Sequence, residues 1–177
     1  MNVEEYKKAV LKQFNSYKTF AEKTISQLDE KDLFWQYNEE SNSIAIIIHH
    51  MYGNMLSRWT DFLTSDGEKE WRNREKEFEN LATTKKQLMQ NWEKGWNCLF
   101  DAIYSINEET INSDIYIRNE KHSVVDALSR QMMHYPYHIG QITFIGKMIL
   151  GEKWKSMSIP KGKSEEFNKE KFGKGKH

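Results

Sequence analysis

Helix-breaking and crosslinking residues are scarce in this sequence, which has two prolines, Pro136 and Pro160, and one cysteine, Cys98, among 177 residues. Because proline interrupts the interior of a helix, its scarcity favours long helices. A lone cysteine cannot form an internal disulfide, so we expect a protein of the reducing cytoplasm. Cys98 lies between Trp96 and Leu99, and a cysteine in such company is more often a small buried hydrophobe than a nucleophile.

Long apolar runs and an excess of one charge are also missing. The longest apolar run, residues 44–48, is far short of the roughly 20 residues that cross a bilayer. The formal net charge is zero, so no overall field attracts nucleic acid or a membrane surface. The first ten residues, MNVEEYKKAV, are acidic and amphipathic, whereas a signal peptide is basic and then apolar. We therefore expect a soluble, cytoplasmic protein with no nucleic-acid or membrane partner.

Four segments show the apolar period of three to four residues that is typical of an α-helix. Asn2, Thr84 and Ser123 each stand at a capping position before one of these segments, and Gly151 follows the last. The second segment is apolar on nearly every side in its first half, which implies burial. The predicted helices span about residues 3–29, 44–63, 85–105 and 124–150.

The segments between these helices complete the predicted fold. Residues 68–82 are highly charged, without a period, and too long for a tight turn, so they predict a crossover. Residues 115–117 and 122–124 flank a polar stretch and predict a short β-hairpin. The expected fold class is all-α: a four-helix bundle in one domain over residues 1–160, with a long crossover between its second and third helices. Residues 161–177 are predicted to be a lysine-rich tail.

Two histidines on the fourth predicted helix form a candidate metal-binding pair. His134 and His138 are one turn apart, so their imidazoles leave the same face about 5 to 6 Å apart at Cβ. The spacing is a weak signal by itself, because two histidines so placed are often no more than part of a helix face. Pro136 lies between them and predicts a local kink.

A third ligand would come from the second predicted helix, where His49 and His50 are adjacent. Neighbouring helical residues diverge by about 100°, so only one of the two faces the core. Asn54 shares a face with His50, and a buried hydrogen bond between these two side chains is the alternative to metal binding.

Three histidines without a fourth protein ligand are typical of catalytic zinc, because the set leaves a position for water or substrate. Imidazole ligands do not discriminate among zinc, nickel, copper and iron. Arg130, Gln131 and Gln141 flank the histidines on the fourth predicted helix, where they could orient a ligand. Solvent exposure is the alternative for Arg130.

The histidines lie in sequence blocks that resemble a known superfamily. The order Ser43-x₆-His50-Met51, then His134-x₃-His138-x-Gly140-Gln141, resembles the DinB-like, YfiT-like superfamily of metal-dependent enzymes over nearly the whole chain. The blocks HHMYGNMLSRWTDF and HYPYHIGQITFIGKMI are most similar to a branch found in bacilli and related bacteria.

The resemblance implies a four-helix bundle with an unusual crossover, a homodimer, and a zinc- or nickel-type divalent metal site. Carried over by position, the metal ligands are His50, His134 and His138. Met51 and Trp59 follow at the spacing that the superfamily shows after its helix-two ligand, which favours His50 over His49.

Two classes of function follow from the resemblance. Relatives in the superfamily include transferases and isomerases that use low-molecular-weight thiols such as bacillithiol, so the first hypothesis is a metal-dependent transferase acting on an electrophilic small molecule. A hydrolase would use the same ion to activate water, but the sequence places no Asp or Glu on the histidine face to act as a general base. The second hypothesis is a non-catalytic, metal-stabilised stress-response or binding module. Turnover of an electrophile in the presence of a small thiol separates the two.

Overall fold

Six α-helices and one antiparallel pair of strands make up the regular structure of the described residues, 2–78 and 84–173 of a computed structural model. The helices are α1 (Val3–Ile25), α2 (Glu30–Leu33), α3 (Ile44–Trp59), α4 (Lys85–Ser105), α5 (Val124–Leu150) and α6 (Ser164–Phe172). The strands are β1 (Asp114–Ile117) and β2 (Glu120–Ser123).

Three of the four long helices begin after the predicted capping residues Asn2, Thr84 and Ser123, and the fourth begins after Ser43, which was not predicted as a cap. The side-chain oxygens of Asn2, Ser43, Thr84 and Ser123 each accept a hydrogen bond from the backbone N–H three residues ahead, at 3.0 to 3.3 Å. These bonds satisfy N–H groups that have no partner inside the first turn of a helix. Helix α5 ends at Gly151, whose φ of +52° is readily adopted by glycine. The four predicted helices are thus confirmed as elements.

The prediction of an all-α four-helix bundle with a long crossover is wrong, because the described residues contain six helices and a two-stranded sheet. Helix α2 has four residues, too few to show a helical period in the sequence. Helix α6 lies in the lysine-rich segment predicted as a tail, and all of its residues are exposed. The division into a domain over 1–160 and a tail over 161–177 stays a prediction.

The predicted hairpin is confirmed, with Asp114 paired to Ser123 and Ile117 paired to Glu120. Arg118 and Asn119 form its two-residue turn and have φ values of +55° and +64°, as a type I′ turn requires. The carboxylate of Asp66, after α3, accepts hydrogen bonds from both turn N–H groups at 2.8 Å. The turn is therefore fixed to the segment that follows α3.

Helices α1 and α3 each pack against both α4 and α5. At the centre, the rings of Phe14, Trp96 and Tyr135 lie 5.9 to 6.1 Å apart and join α1, α4 and α5. A 3₁₀ turn, Glu75–Phe78, belongs to the predicted crossover and packs on α3; residues 79–82 of that crossover lie outside the described residues. No helix in the described part of the chain combines the length and apolar character needed to span a bilayer.

Candidate metal centre

Three histidines from α3 and α5 meet where these helices pack. His50, His134 and His138 offer ligand nitrogens that all lie within 4.8 Å of one another, and their ring centroids are 4.7 to 5.6 Å apart. His50 and His138 are buried, and His134 is partly buried. His49 is half-buried and is not part of this cluster.

Hydrogen bonds at Nδ1 fix the tautomer of each of the three rings. His50 Nδ1 is 2.9 Å from Glu77 Oε2, His138 Nδ1 is 2.8 Å from Gln141 Oε1, and His134 Nδ1 is 3.2 Å from Gln131 Oε1. A carboxylate or an amide oxygen can only accept, so the imidazole donates from Nδ1 in each pair. In a neutral ring Nε2 then holds a lone pair, which is the state a metal ligand needs.

The Nε2 atoms of His134 and His138 are 3.1 Å apart. With Nδ1 protonated on both rings, two lone pairs face each other at this distance and no proton lies between them. Two nitrogens bound at about 2.0 to 2.1 Å to one tetrahedral zinc ion stand roughly 3.3 Å apart. The spacing of the two imidazoles therefore fits a shared divalent ion.

The electrostatic environment keeps the two α5 histidines neutral. Burial, with further contributions from His138 and His50, lowers the pKa of His134 to about 3. Burial also lowers the pKa of His138, although its hydrogen bond with Gln141 acts in the opposite direction. Neutral imidazole is the form that coordinates a metal, so the site is prepared for a cation at neutral pH.

Glu77 supports His50, and the sequence analysis missed this role. Its side chain is 5% exposed and lies in the 3₁₀ turn. Arg72 donates from Nε to Glu77 Oε1 at 2.7 Å and from Nη2 to Oε2 at 2.9 Å. Burial acts to raise the pKa of Glu77, but the hydrogen bonds from His50 and Arg72 and the charge of Arg72 outweigh it and lower the pKa. The carboxylate is therefore ionised and can hold the imidazole as metal-site carboxylates do.

One signal in the sequence could have indicated this contact. The charged segment 68–78 contains two aromatic residues, Trp71 and Phe78, and the ring of Phe78 stacks on His50 with centroids 4.9 Å apart. An apolar residue next to Glu77 indicates a place where the segment touches the core, but it does not say which core residue is reached.

Asn54 does not form the hydrogen bond with His50 that was the alternative to metal binding. Its Oδ1 accepts from the hydroxyl of Tyr135 at 3.1 Å, and that hydroxyl accepts from Trp59 Nε1 at 3.1 Å. Burial raises the pKa of Tyr135 far above its ordinary value, so the phenol stays protonated. This chain of bonds fixes α3 against α5 next to the histidines and leaves the Asn54 amide N–H groups for another partner.

A pocket of about 140 Å³ opens beside the histidines. Its walls include His50, His134, Asn54, Gln131 and Arg130, so two of the three side chains predicted to orient a ligand, Gln131 and Arg130, lie together there. Gln141 lies outside these walls and contacts His138 instead. Cys98 lines a different groove, beside α4, and burial raises the pKa of its thiol.

Comparison with known families gives one match. The family described as "Protein of unknown function (DUF1572)" matches residues 2–163, nearly the whole chain. No curated protein and no solved structure matches the chain.

Proposed function

The chain belongs to the DUF1572 family, and we propose that it binds one divalent ion, zinc or nickel, at His50, His134 and His138 and uses it in catalysis. The main support is that the Nδ1 atom of each ring is hydrogen-bonded to an oxygen, which leaves Nε2 available as a ligand, and that the three histidines offer ligand nitrogens within 4.8 Å of one another. DUF1572 is a DinB/YfiT-like family, and the two histidine blocks point to the same metal-dependent superfamily and to its branch in bacilli.

The proposed reaction is transfer of an electrophilic group to a low-molecular-weight thiol of the bacillithiol type. A divalent ion lowers the pKa of a thiol bound to it and so supplies a thiolate at neutral pH. The sulfur bonds to the electrophilic carbon, the leaving group departs with its electron pair, and the thiol proton passes to solvent. The Asn54 amide is free to donate to a ligand in the pocket. A thiol substrate also suits the reducing cytoplasm that the single cysteine predicts.

Hydrolysis receives less support from the same geometry. Glu77 is the carboxylate that touches the histidines, and both of its oxygens already accept hydrogen bonds from Arg72 or His50. A general base must be within reach of the water it deprotonates and needs a free oxygen. Glu77 therefore holds His50 in place and is not positioned to activate water.

A non-catalytic metal clamp is the alternative, and the pocket favours catalysis over it. A structural site is closed by protein ligands, whereas a catalytic site keeps an open position. Here two of the three histidines form part of the wall of a pocket that also contains polar side chains. A ligand in that pocket would lie against the site.

A homodimer is the assembly we propose. Met133, Tyr137, Phe144 and Met148 lie on the outer face of α5 and are 45 to 73% exposed. Their spacing of four, seven and four residues places them in one stripe. A group of large, exposed apolar side chains on one face of a helix is typical of an interaction surface.

Elemental analysis of the purified protein tests the metal site directly. We expect about one zinc or nickel ion per chain and its loss in folded His50→Ala and His134→Ala. His49→Ala is the matched control, because it removes a neighbouring imidazole outside the cluster, and should retain the ion. A wild-type protein that neither contains nor takes up metal would overturn the proposal. With metal present, absence of turnover across a panel of alkyl halides and small thiols would favour the clamp.

A further inference from the structure

The arginines of this chain are gathered in one place. The sequence contains 26 basic residues, of which five are arginines and the rest lysines. All five arginines line the pocket beside His50 and His134, although they are spread over more than 70 residues of sequence, and no lysine of the described residues lines it. They are Arg58, Arg72, Arg74, Arg118 and Arg130.

We propose that this pocket binds the anionic group of the substrate, a carboxylate or a phosphate, next to the metal centre. Arginine differs from lysine in offering a planar set of donors that matches both groups in a bidentate manner. A pocket lined by all five arginines therefore suits an anionic group of that geometry. The role in a substrate rests on the proposed function, whereas the binding of an anion does not require the metal.

Arg58 provides the strongest single observation. The residue is 5% exposed, and neither its Nε nor its Nη1 has a hydrogen-bond partner among the described residues. Gly67 lies so close that a Cβ there would be 2.7 Å from Nη1, so the fold makes room for the guanidinium. A buried charge without partners is unfavourable for stability. Because Arg58 also lines the pocket, an anion there would bring an acceptor and a negative charge to this guanidinium.

The acidic residues nearby leave the pocket with an excess of positive charge. Glu77 and Glu68 accept from Arg72, and Glu68 also accepts from Arg118. Asp66 lies near Arg58, but its carboxylate already accepts three backbone hydrogen bonds.

Three guanidinium groups remain, those of Arg58, Arg74 and Arg130, and none has an ion pair with a residue in the described ranges. Arg74 and Arg130 are exposed, so they stand at the outer part of the pocket, whereas Arg58 is buried.

Helices α3 and α5 each carry histidine and arginine on one face at one-turn intervals. His50, Asn54 and Arg58 are one turn apart on α3, and His138, His134 and Arg130 are one turn apart on α5. On each helix, the backbone positions of the histidine at one end and of the arginine at the other are eight residues apart, which is about 12 Å along the helix axis. A pocket of about 140 Å³ is small beside the roughly 300 to 1,000 Å³ of sites for drug-sized ligands. The ligand it suits is a small molecule with a metal-binding atom and an anionic group a few bonds away.

Anion binding to the metal-free protein provides the first test. Calorimetric titration with inorganic phosphate and with succinate, at matched ionic strength, should show saturable binding of at least one of them, and the stronger identifies the anionic group. Arg58→Met should weaken that binding about tenfold or more, because it removes the buried donor and keeps the side-chain volume. Arg130→Gln, an exposed change that spares the core, should weaken it less.

Lys8→Gln is the matched control, since it removes one exposed positive charge from α1, and it should bind as the wild type does. Absence of saturable binding of both anions, or equal weakening in Lys8→Gln and Arg58→Met, would overturn the inference. Because the metal is absent, this result is separate from the fate of the metal site.

The second test asks whether one ligand can contact both the metal centre and the arginines. In zinc-loaded protein, mercaptosuccinate, which has a thiol and two carboxylates, should bind at least tenfold more tightly than 2-mercaptoethanol. Arg58→Met should remove that preference, so that the two thiols bind with similar affinity. Equal affinities in the wild type would show that the arginines do not act on the ligand of the metal centre. Failure to load zinc would refute the proposed metal function, but it would not affect the anion binding measured with the metal-free protein.

Discussion

At the scale of single residues, the support of His50 depends on the absence of a side chain at position 53. Gly53 is one turn beyond His50 on the interior of α3, and a Cβ there would lie 2.8 Å from Cδ of Glu77. Glycine in a helix interior is ordinarily less favourable than alanine by about 1 kcal/mol. The close approach of the carboxylate explains why glycine stands here.

Gly53→Ala is therefore expected to destabilise the protein, by about 1 to 3 kcal/mol for an overpacked contact. The same change should lower zinc affinity about 10- to 100-fold, because Glu77 no longer holds His50. Gly140→Ala is the control, since a Cβ there meets nothing within 4 Å, and it should be neutral or stabilising. Urea unfolding and competitive zinc titration measure both effects. Equal behaviour of the two alanine variants would contradict the role assigned to Gly53.

At the scale of secondary-structure elements, Asp66 connects the hairpin to the end of α3. It accepts backbone hydrogen bonds from Glu68, Arg118 and Asn119, and Gly67 N donates to Tyr116 O at 2.8 Å. Burial acts to raise the pKa of Asp66, but the three backbone hydrogen bonds outweigh it and lower the pKa. The connection determines where Arg118 stands in the pocket.

Asp66→Asn should cost about 1 to 2 kcal/mol of unfolding free energy at neutral pH, because a charge-assisted acceptor is lost. The folded-state pKa of Asp66 lies below its unfolded value, so its contribution is present above the unfolded pKa and is lost as pH falls through the folded pKa. The difference between wild type and variant should therefore shrink below about pH 4. Asp101→Asn, exposed on α4, is the control. A pH-independent difference would contradict the role of the charge.

Helices and strands that produce a pattern among neighbouring residues could be predicted from the sequence. Segments whose position depends on contacts between distant residues could not. The long helices have a period and a cap, and the hairpin has alternating residues around a polar turn, so each was found. Helix α2 is too short for any period. Glu77 and Arg72 reach the site because the segment after α3 folds back on that helix, a path decided by long-range packing and not by neighbouring residues. His134 and His138 were paired because one-turn spacing on α5 is a local property, whereas the choice of His50 over His49 came from the family resemblance.

At the scale of the whole molecule, metal binding should increase the free energy of unfolding. A ligand that binds the folded state alone stabilises it by about 4 kcal/mol when its free concentration is 1,000-fold above Kd. We therefore expect thermal unfolding to move to higher temperature when zinc is restored to chelator-treated protein. His134→Ala should show no such shift, and His49→Ala should show the full one. A shift retained in His134→Ala would place the stabilising ion elsewhere.

Helix α5 joins the site to the proposed dimer, because the helix that presents His134 and His138 inward presents Tyr137 and Phe144 outward. If this face is the interface, a charge introduced there should separate the subunits without unfolding them, since both side chains are 63% exposed. Phe144→Lys should sediment as a monomer at concentrations where the wild type is a dimer. Tyr104→Lys alters an equally exposed aromatic on α4 and should remain dimeric. A monomeric wild type, or a dimer that survives Phe144→Lys, would show that the apolar stripe on α5 has another role.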